Sequence, residues 1–158
     1  MDTNPQKTGC GAAAASDASV LKLKSRIEEF IRLRSWLEGH AQRLNLPQKT
    51  AGQLLIAADE VFSNIARYAY GGEAGEVEAA LEQDGPELKL IFADGGMPFD
   101  PLQATEPDTG APLSERPVGG LGIFMVKKLM DRVEYRRENG SNILTLTKNI
   151  MAEVTPCR

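Results

Sequence analysis

The chain has 158 residues, room for one domain and no separate sensor or substrate domain. With 42% hydrophobic and 25% charged residues it is an ordinary globular sequence, which excludes a chain that is disordered, collagen-like or coiled-coil throughout. Against 18 basic residues stand 22 acidic ones, and the net charge of −4 gives no bulk attraction to nucleic acid or to an anionic membrane surface.

Residues 1–18 are polar and rich in Gly, Ala and Ser. They cannot bury enough apolar surface to offset their ordering entropy, so a disordered tail is expected there. Ala12–Ala15 has no Leu/Ile/Val run before it. The apolar stretches Leu54–Ala58 and Leu121–Val126 fall far short of the roughly 20 residues of a membrane-spanning helix. Neither a secretory signal nor a membrane span is expected, and the cytoplasm is the default location. Cys10 and Cys157 lie at opposite ends without metal-ligand spacing and read as free thiols. The single histidine, His40, has no nucleophile or orienting carboxylate nearby and reads as a surface or partly packed residue.

Val20, Leu21 and Leu23 among lysines predict a short strand. From Ser25 the spacing of Ile27, Phe30, Ile31, Leu33, Leu37 and Leu44 predicts a long amphipathic helix, broken at Asn45-Leu46-Pro47. A second helix runs from Pro47 through Leu54, Ala58, Val61, Phe62 and Ile65 to about Tyr70, where Gly71-Gly72 ends it. Strands Glu76–Gln83 and Glu87–Phe92 flank a tight turn at Asp84-Gly85-Pro86. Residues 94–120, rich in Pro and Gly, form a long loop of the kind that serves as a lid or is disordered. A helix from Leu121 to Asp131 and strands Val133–Arg137 and Asn142–Lys148, turning at Asn139-Gly140, complete the domain. Its expected bounds are 19–150, with a short tail over 151–158. The order β-α-α-β-β-loop-α-β-β predicts an α+β two-layer sandwich. Its sheet is mixed but mostly antiparallel, and helices cover one face.

Three segments can carry chemistry. Glu60 and Asn64 are four apart on the second helix and share one face. The Asn oxygen suits Mg²⁺ and the carboxylate can take a proton from an attacking hydroxyl, although such a pair is also an ordinary solvated helix face. Asp94-Gly95-Gly96-Met97-Pro98-Phe99-Asp100 follows an apolar strand. An acidic residue there can accept from the exocyclic amine of a purine, and Asp-Gly is also simply a turn. Gly119-Gly120-Leu121-Gly122-Ile123-Phe124 opens a helix, so its free N–H groups suit phosphate. It lacks the Lys-Ser/Thr of a P-loop and follows no strand, and it could equally be a hinge.

In this order, with a Pro/Gly loop between the second and third, the segments resemble the N, G1 and G2 boxes of the GHKL (Bergerat-fold) ATP-binding superfamily. Within it the chain resembles the anti-sigma-factor serine/threonine kinases. The matching residues run from Glu60 to Asp131 and include Gly119–Val126 with Leu129-Met130-Asp131, and the compatible element order extends from about Val20 to Lys148. The space before Val20 does not accommodate the phosphoacceptor helix pair of a sensor histidine kinase.

The resemblance implies that Asn64 coordinates Mg²⁺ between the phosphates of ATP and that Glu60 is the general base on a partner's hydroxyl. It implies further that Asp94 binds the adenine amino group and that Gly96 allows close approach of the purine. Gly120, Leu121 and Gly122 bring backbone amides to the phosphates, and residues of about 101–118 form the ATP lid. Its implied partners are an anti-sigma-factor antagonist, phosphorylated on Ser or Thr, a sigma factor, and a second copy in a homodimer. The alternative is an ATP-binding partner switch without significant kinase activity. Two departures stand out. Asn64-Ile65-Ala66-Arg67-Tyr68-Ala69-Tyr70 has Tyr68 where many relatives have histidine, and no residue is placed as the adenine-side hydroxyl that relatives often have in the final strand, although Thr145 and Thr147 are available. Arg67 and Arg116 are additional candidates for phosphate.

Overall fold

A computed structural model describes residues 18–103 and 120–151. The predicted tails apart from residues 18 and 151, with Cys10, Cys157, Arg116, Gly119 and the lid beyond residue 103, lie outside the described residues. Within them the chain forms β1 (Ser19–Lys24), α1 (Phe30–Arg43), α2 (Gln48–Asn64), β2 (Glu76–Asp84), β3 (Glu87–Asp94), α3 (Gly120–Leu129), β4 (Arg132–Glu138) and β5 (Ser141–Asn149). The five strands make one sheet in the order β1-β2-β3-β5-β4. The fold is the expected α+β layering, but the mixed component of the sheet is absent: all four pairings are antiparallel. The physical reason is the placing of the connections. Each helical connection returns to a strand that is either antiparallel to the one before it or not its neighbour.

Period-two alternation decides which face is covered. Leu88, Leu90 and Phe92 of β3 and Leu144 and Leu146 of β5 are buried under the helices, against Leu33 and Leu37 of α1, Leu54, Ala58 and Phe62 of α2, and Val126 of α3. Asp94 and Asn142 continue the same two rows, and the register pairs them directly across β3 and β5. Two polar residues thus occupy the last core-facing places of adjacent strands. The β4–β5 turn places Asn139 at φ 51° and Gly140 at φ 78°, the left-handed backbone that an Asn-Gly hairpin supplies.

Two helix ends differ from the expectation. Ser25 does not begin a helix, because its N–H donates to the Gly75 carbonyl and its hydroxyl accepts from the Gly75 N–H. That pairing extends the sheet end by one step, and a 3-10 turn at Ile27–Glu29 then leads into α1. The second helix is α-helical only to Asn64, after which Ile65–Ala69 form a π-helical turn.

Candidate functional site

The π turn, the ends of β3 and β5 and the loop after Asp94 enclose a cavity of about 180 Å³. Its walls are apolar, with Val61, Ile65, Phe92, Met97, Ile123 and Leu144 among them, and Asn64, Asp94, Tyr135 and Asn142 supply polar groups. An apolar slot with a few converging polar atoms is what a planar heterocycle requires. A π turn widens the helix and redirects its last carbonyls, a distortion often found beside functional sites. Here the freed Ala69 carbonyl accepts the Met97 N–H at 2.8 Å.

Asn64 and Asp94 therefore line one cavity, although 30 residues separate them. Gly96 is not in the lining, although its neighbour Met97 is. A Cβ added to Gly96 would lie 2.3 Å from the Ala69 carbonyl oxygen, so the glycine lets the loop pack directly on the π turn. Glu60 lies one turn back along α2, not in the cavity wall but against the start of α3. A Cβ on Gly122 would fall 2.3 Å from Glu60 Oε2, so Gly122 is what allows that approach. Gly120, Leu121 and Gly122 form the first turn of α3, where the leading backbone N–H groups have no partner within the helix. The second and third segments thus converge on the two ends of the Glu60–Asn64 face.

Asp94 is 7% exposed, and its Oδ1 accepts from the Gly96 N–H at 3.0 Å and from Asn142 Nδ2 at 3.0 Å. The Tyr70 hydroxyl accepts the Gly95 N–H at 2.8 Å and donates to the Glu76 carbonyl at 2.5 Å, tying the loop to the π turn and to β2. Burial, the largest influence on that phenol, raises its pKa above the ordinary value.

Of the other sequence candidates, Tyr68 borders the cavity and is 45% exposed, whereas Arg67 is exposed and outside the lining. Thr145 and Thr147 alternate with Leu144 and Leu146 and so stand on the opposite face of the sheet. The polar group of the final strand in the cavity is Asn142. Sequence reasoning missed Asn142, Tyr135 and the clamp made by Tyr70. The available signal was parity, since Asn142 heads the row Asn142, Leu144, Leu146 and is polar at a core-facing place.

Fold and site together match what an ATP-binding domain requires. The model of the histidine kinase-like ATPase domain matches residues 23–148, and the chain belongs to that family. The serine/threonine-protein kinase BtrW of Bordetella bronchiseptica is 33% identical over 119 residues, 75% of this chain and 84% of that one. The serine-protein kinase RsbW of Bacillus cereus is 26% identical over 137 residues, 84% of this chain and 85% of that one. These relatives place the chain among the family's serine/threonine-protein kinases. Among solved structures, the RsbU and RsbW domains of a Mycobacterium tuberculosis protein superpose with a TM-score of 0.62 at 16% identity, over 87% of this chain and 33% of that chain. That likeness concerns the fold. Among the described residues no helix is long and apolar enough to cross a membrane.

Proposed function

We propose that the chain is an ATP-dependent protein serine/threonine kinase acting as an anti-sigma factor. It phosphorylates an anti-sigma-factor antagonist on a Ser or Thr hydroxyl, holds a sigma factor, and works in the cytoplasm as one arm of a partner switch. The observation that carries this reading is the joining of three sequence segments around one site. Asp94 and Asn64 share the cavity, and Glu60 meets the first turn of α3. An acceptor for the purine, helix N–H groups for the phosphates and a carboxylate base are the parts that phosphoryl transfer from ATP needs.

The residues also fit Mg²⁺. Asn64 brings a hard carboxamide oxygen to the cavity, and a site that relies on one or two side chains plus phosphate oxygens is the usual one for this ion. Bound there, Mg²⁺ would offset charge developing on the phosphates. The chain's own residues do the rest. Asp94 accepts from the purine amine, and the amides of Gly120, Leu121 and Gly122 hold the phosphate end. Glu60 takes the proton of the acceptor hydroxyl as its oxygen bonds to the γ-phosphorus and the bond to the leaving ADP oxygen breaks. Positioning supplies most of the rate. Residues 101–118 are the lid in this reading, 19–150 the kinase domain, and a homodimer the working form.

The test is phosphate transfer from ATP to a purified antagonist protein. Replacing Glu60 by Ala should keep nucleotide binding and slow transfer by roughly 100-fold or more. Transfer that survives the Glu60→Ala change would remove Glu60 as base. ATP that alters partner affinity with no phosphate moved would turn the reading into a partner switch without a kinase step.

A further inference from the structure

We infer that Asn142 positions Asp94 for the purine and thereby sets base selectivity in the nucleotide site. This rests on the ATP reading above and deepens it by specifying how the acceptor oxygen is aimed.

Asn142 is 7% exposed, and every hydrogen-bonding position of its carboxamide is engaged within the protein. Nδ2 donates to Asp94 Oδ1 at 3.0 Å and to the Met97 carbonyl at 2.8 Å. Oδ1 accepts from the Tyr135 hydroxyl at 2.7 Å, from Arg137 Nη1 at 2.9 Å and from the Phe99 N–H at 3.3 Å. The two ends of the amide cannot be exchanged. A flipped group would set its N–H hydrogens against a guanidinium and its oxygen against a carboxylate and a carbonyl. Arg137 reinforces the orientation, since Nη1 also meets the Gly96 carbonyl at 3.2 Å and Nη2 the Gly140 carbonyl at 3.2 Å. The β4–β5 turn is thereby tied to the loop that follows Asp94.

The result is a carboxylate fixed by one oxygen. Asp94 Oδ1 takes the Asn142 and Gly96 donors, and among the described residues no donor meets Oδ2. Asp94 borders the cavity, so the atom left for a ligand is an acceptor. Both Asn142 hydrogens and the Tyr135 hydroxyl hydrogen are already committed, so neither residue offers a donor to the base edge. An exocyclic amine therefore finds a partner at this place, while an exocyclic carbonyl meets an oxygen of like sign. Asn142 touches the purine only through Asp94 in this scheme, and is a positioning residue.

The experiment is calorimetric titration of the full chain with ADP and, separately, GDP, each with Mg²⁺, for the wild type, Asn142→Asp and Tyr135→Phe. Asn142→Asp keeps the size and the acceptor for Tyr135 and Arg137 but removes both donors. It should weaken ADP binding roughly tenfold or more and contract the ADP-over-GDP preference by a similar factor. Tyr135→Phe leaves two donors on Asn142 Oδ1 and should contract the preference less. It carries the test alone if the first variant does not fold. Loss of ADP and GDP affinity in equal proportion, or a ratio that does not change, overturns the inference by making the role structural or nil. A wild type that binds neither nucleotide overturns both the inference and the ATP reading. A wild type that binds ADP with unchanged ratios in the variants overturns the inference alone.

Discussion

A single methyl group has different consequences at Gly96 and at Gly122. At Gly96 an added Cβ would press on the Ala69 backbone and Cβ, at 2.3 and 2.6 Å, and no rotamer relieves that contact. Gly96→Ala should therefore lower stability by about 1–3 kcal/mol in denaturant unfolding, the usual range for overpacking. At Gly122 the added Cβ meets the tip of a side chain, Glu60 Oε2, which can swing away. Gly122→Ala should leave the unfolding midpoint nearly unchanged and instead slow phosphate transfer, because Glu60, the proposed base, is displaced. Unfolding and transfer assays on the same two proteins separate the cases. Tyr70 adds a pH dependence. Its phenol titrates above the ordinary value of about 10, so above that pH the unfolded chain loses the proton first and stability falls as pH rises toward the native value. Tyr70→Phe should flatten that alkaline fall. It should also cost about 1–3 kcal/mol at neutral pH, because the Gly95 N–H and the Glu76 carbonyl lose their partner.

At the scale of the element, α3 is held from its far end. Lys148 is 8% exposed, and its Nζ donates to the Leu129 carbonyl at 3.0 Å, where the helix's last carbonyls and negative dipole end favour a cation. Asp131 adds a second tie, donating its N–H to the Thr147 carbonyl and accepting the Asn149 N–H on its carboxylate at 2.6 Å. Lys148→Met should destabilise the domain by about 1–2 kcal/mol. If the anchor also sets the first turn of α3, ADP affinity measured on the folded variant should fall as well. The strands were legible in the sequence because alternation of Leu and polar residues is a local property, and so was the Asn139-Gly140 turn. The start of α1 was not, since Ser25 is drawn off by Gly75, a partner 50 residues away. The π turn was equally hidden, because what favours it is a tertiary bond from Met97 to Ala69.

For the molecule as a whole, the candidate site was legible where one residue type carries the chemistry and obscure where several residues share it. Glu60, Asn64, Asp94 and the Gly120–Gly122 turn each suit a piece of nucleotide chemistry by type, and the fold sets Asn64 and Asp94 in one cavity and Glu60 against the first turn of α3. Asn142, Tyr135 and Arg137 only acquire meaning together, through a register that sets Asn142 opposite Asp94. Thr145 and Thr147, the hydroxyls available in the final strand, stand on the far face of the sheet. In the proposed function ATP occupies the cavity between Asp94 and Asn64. Thermal unfolding with and without ADP and Mg²⁺ tests it most directly, on the wild type, Asp94→Asn and Asn64→Ala. At about 100 times its dissociation constant, the nucleotide should add about 2.7 kcal/mol and raise the midpoint by roughly 5–10 °C. The rise should be blunted in Asp94→Asn and lose its Mg²⁺ dependence in Asn64→Ala. A midpoint that does not move at millimolar nucleotide, or that moves equally in all three proteins, would contradict the placing of ATP in this cavity.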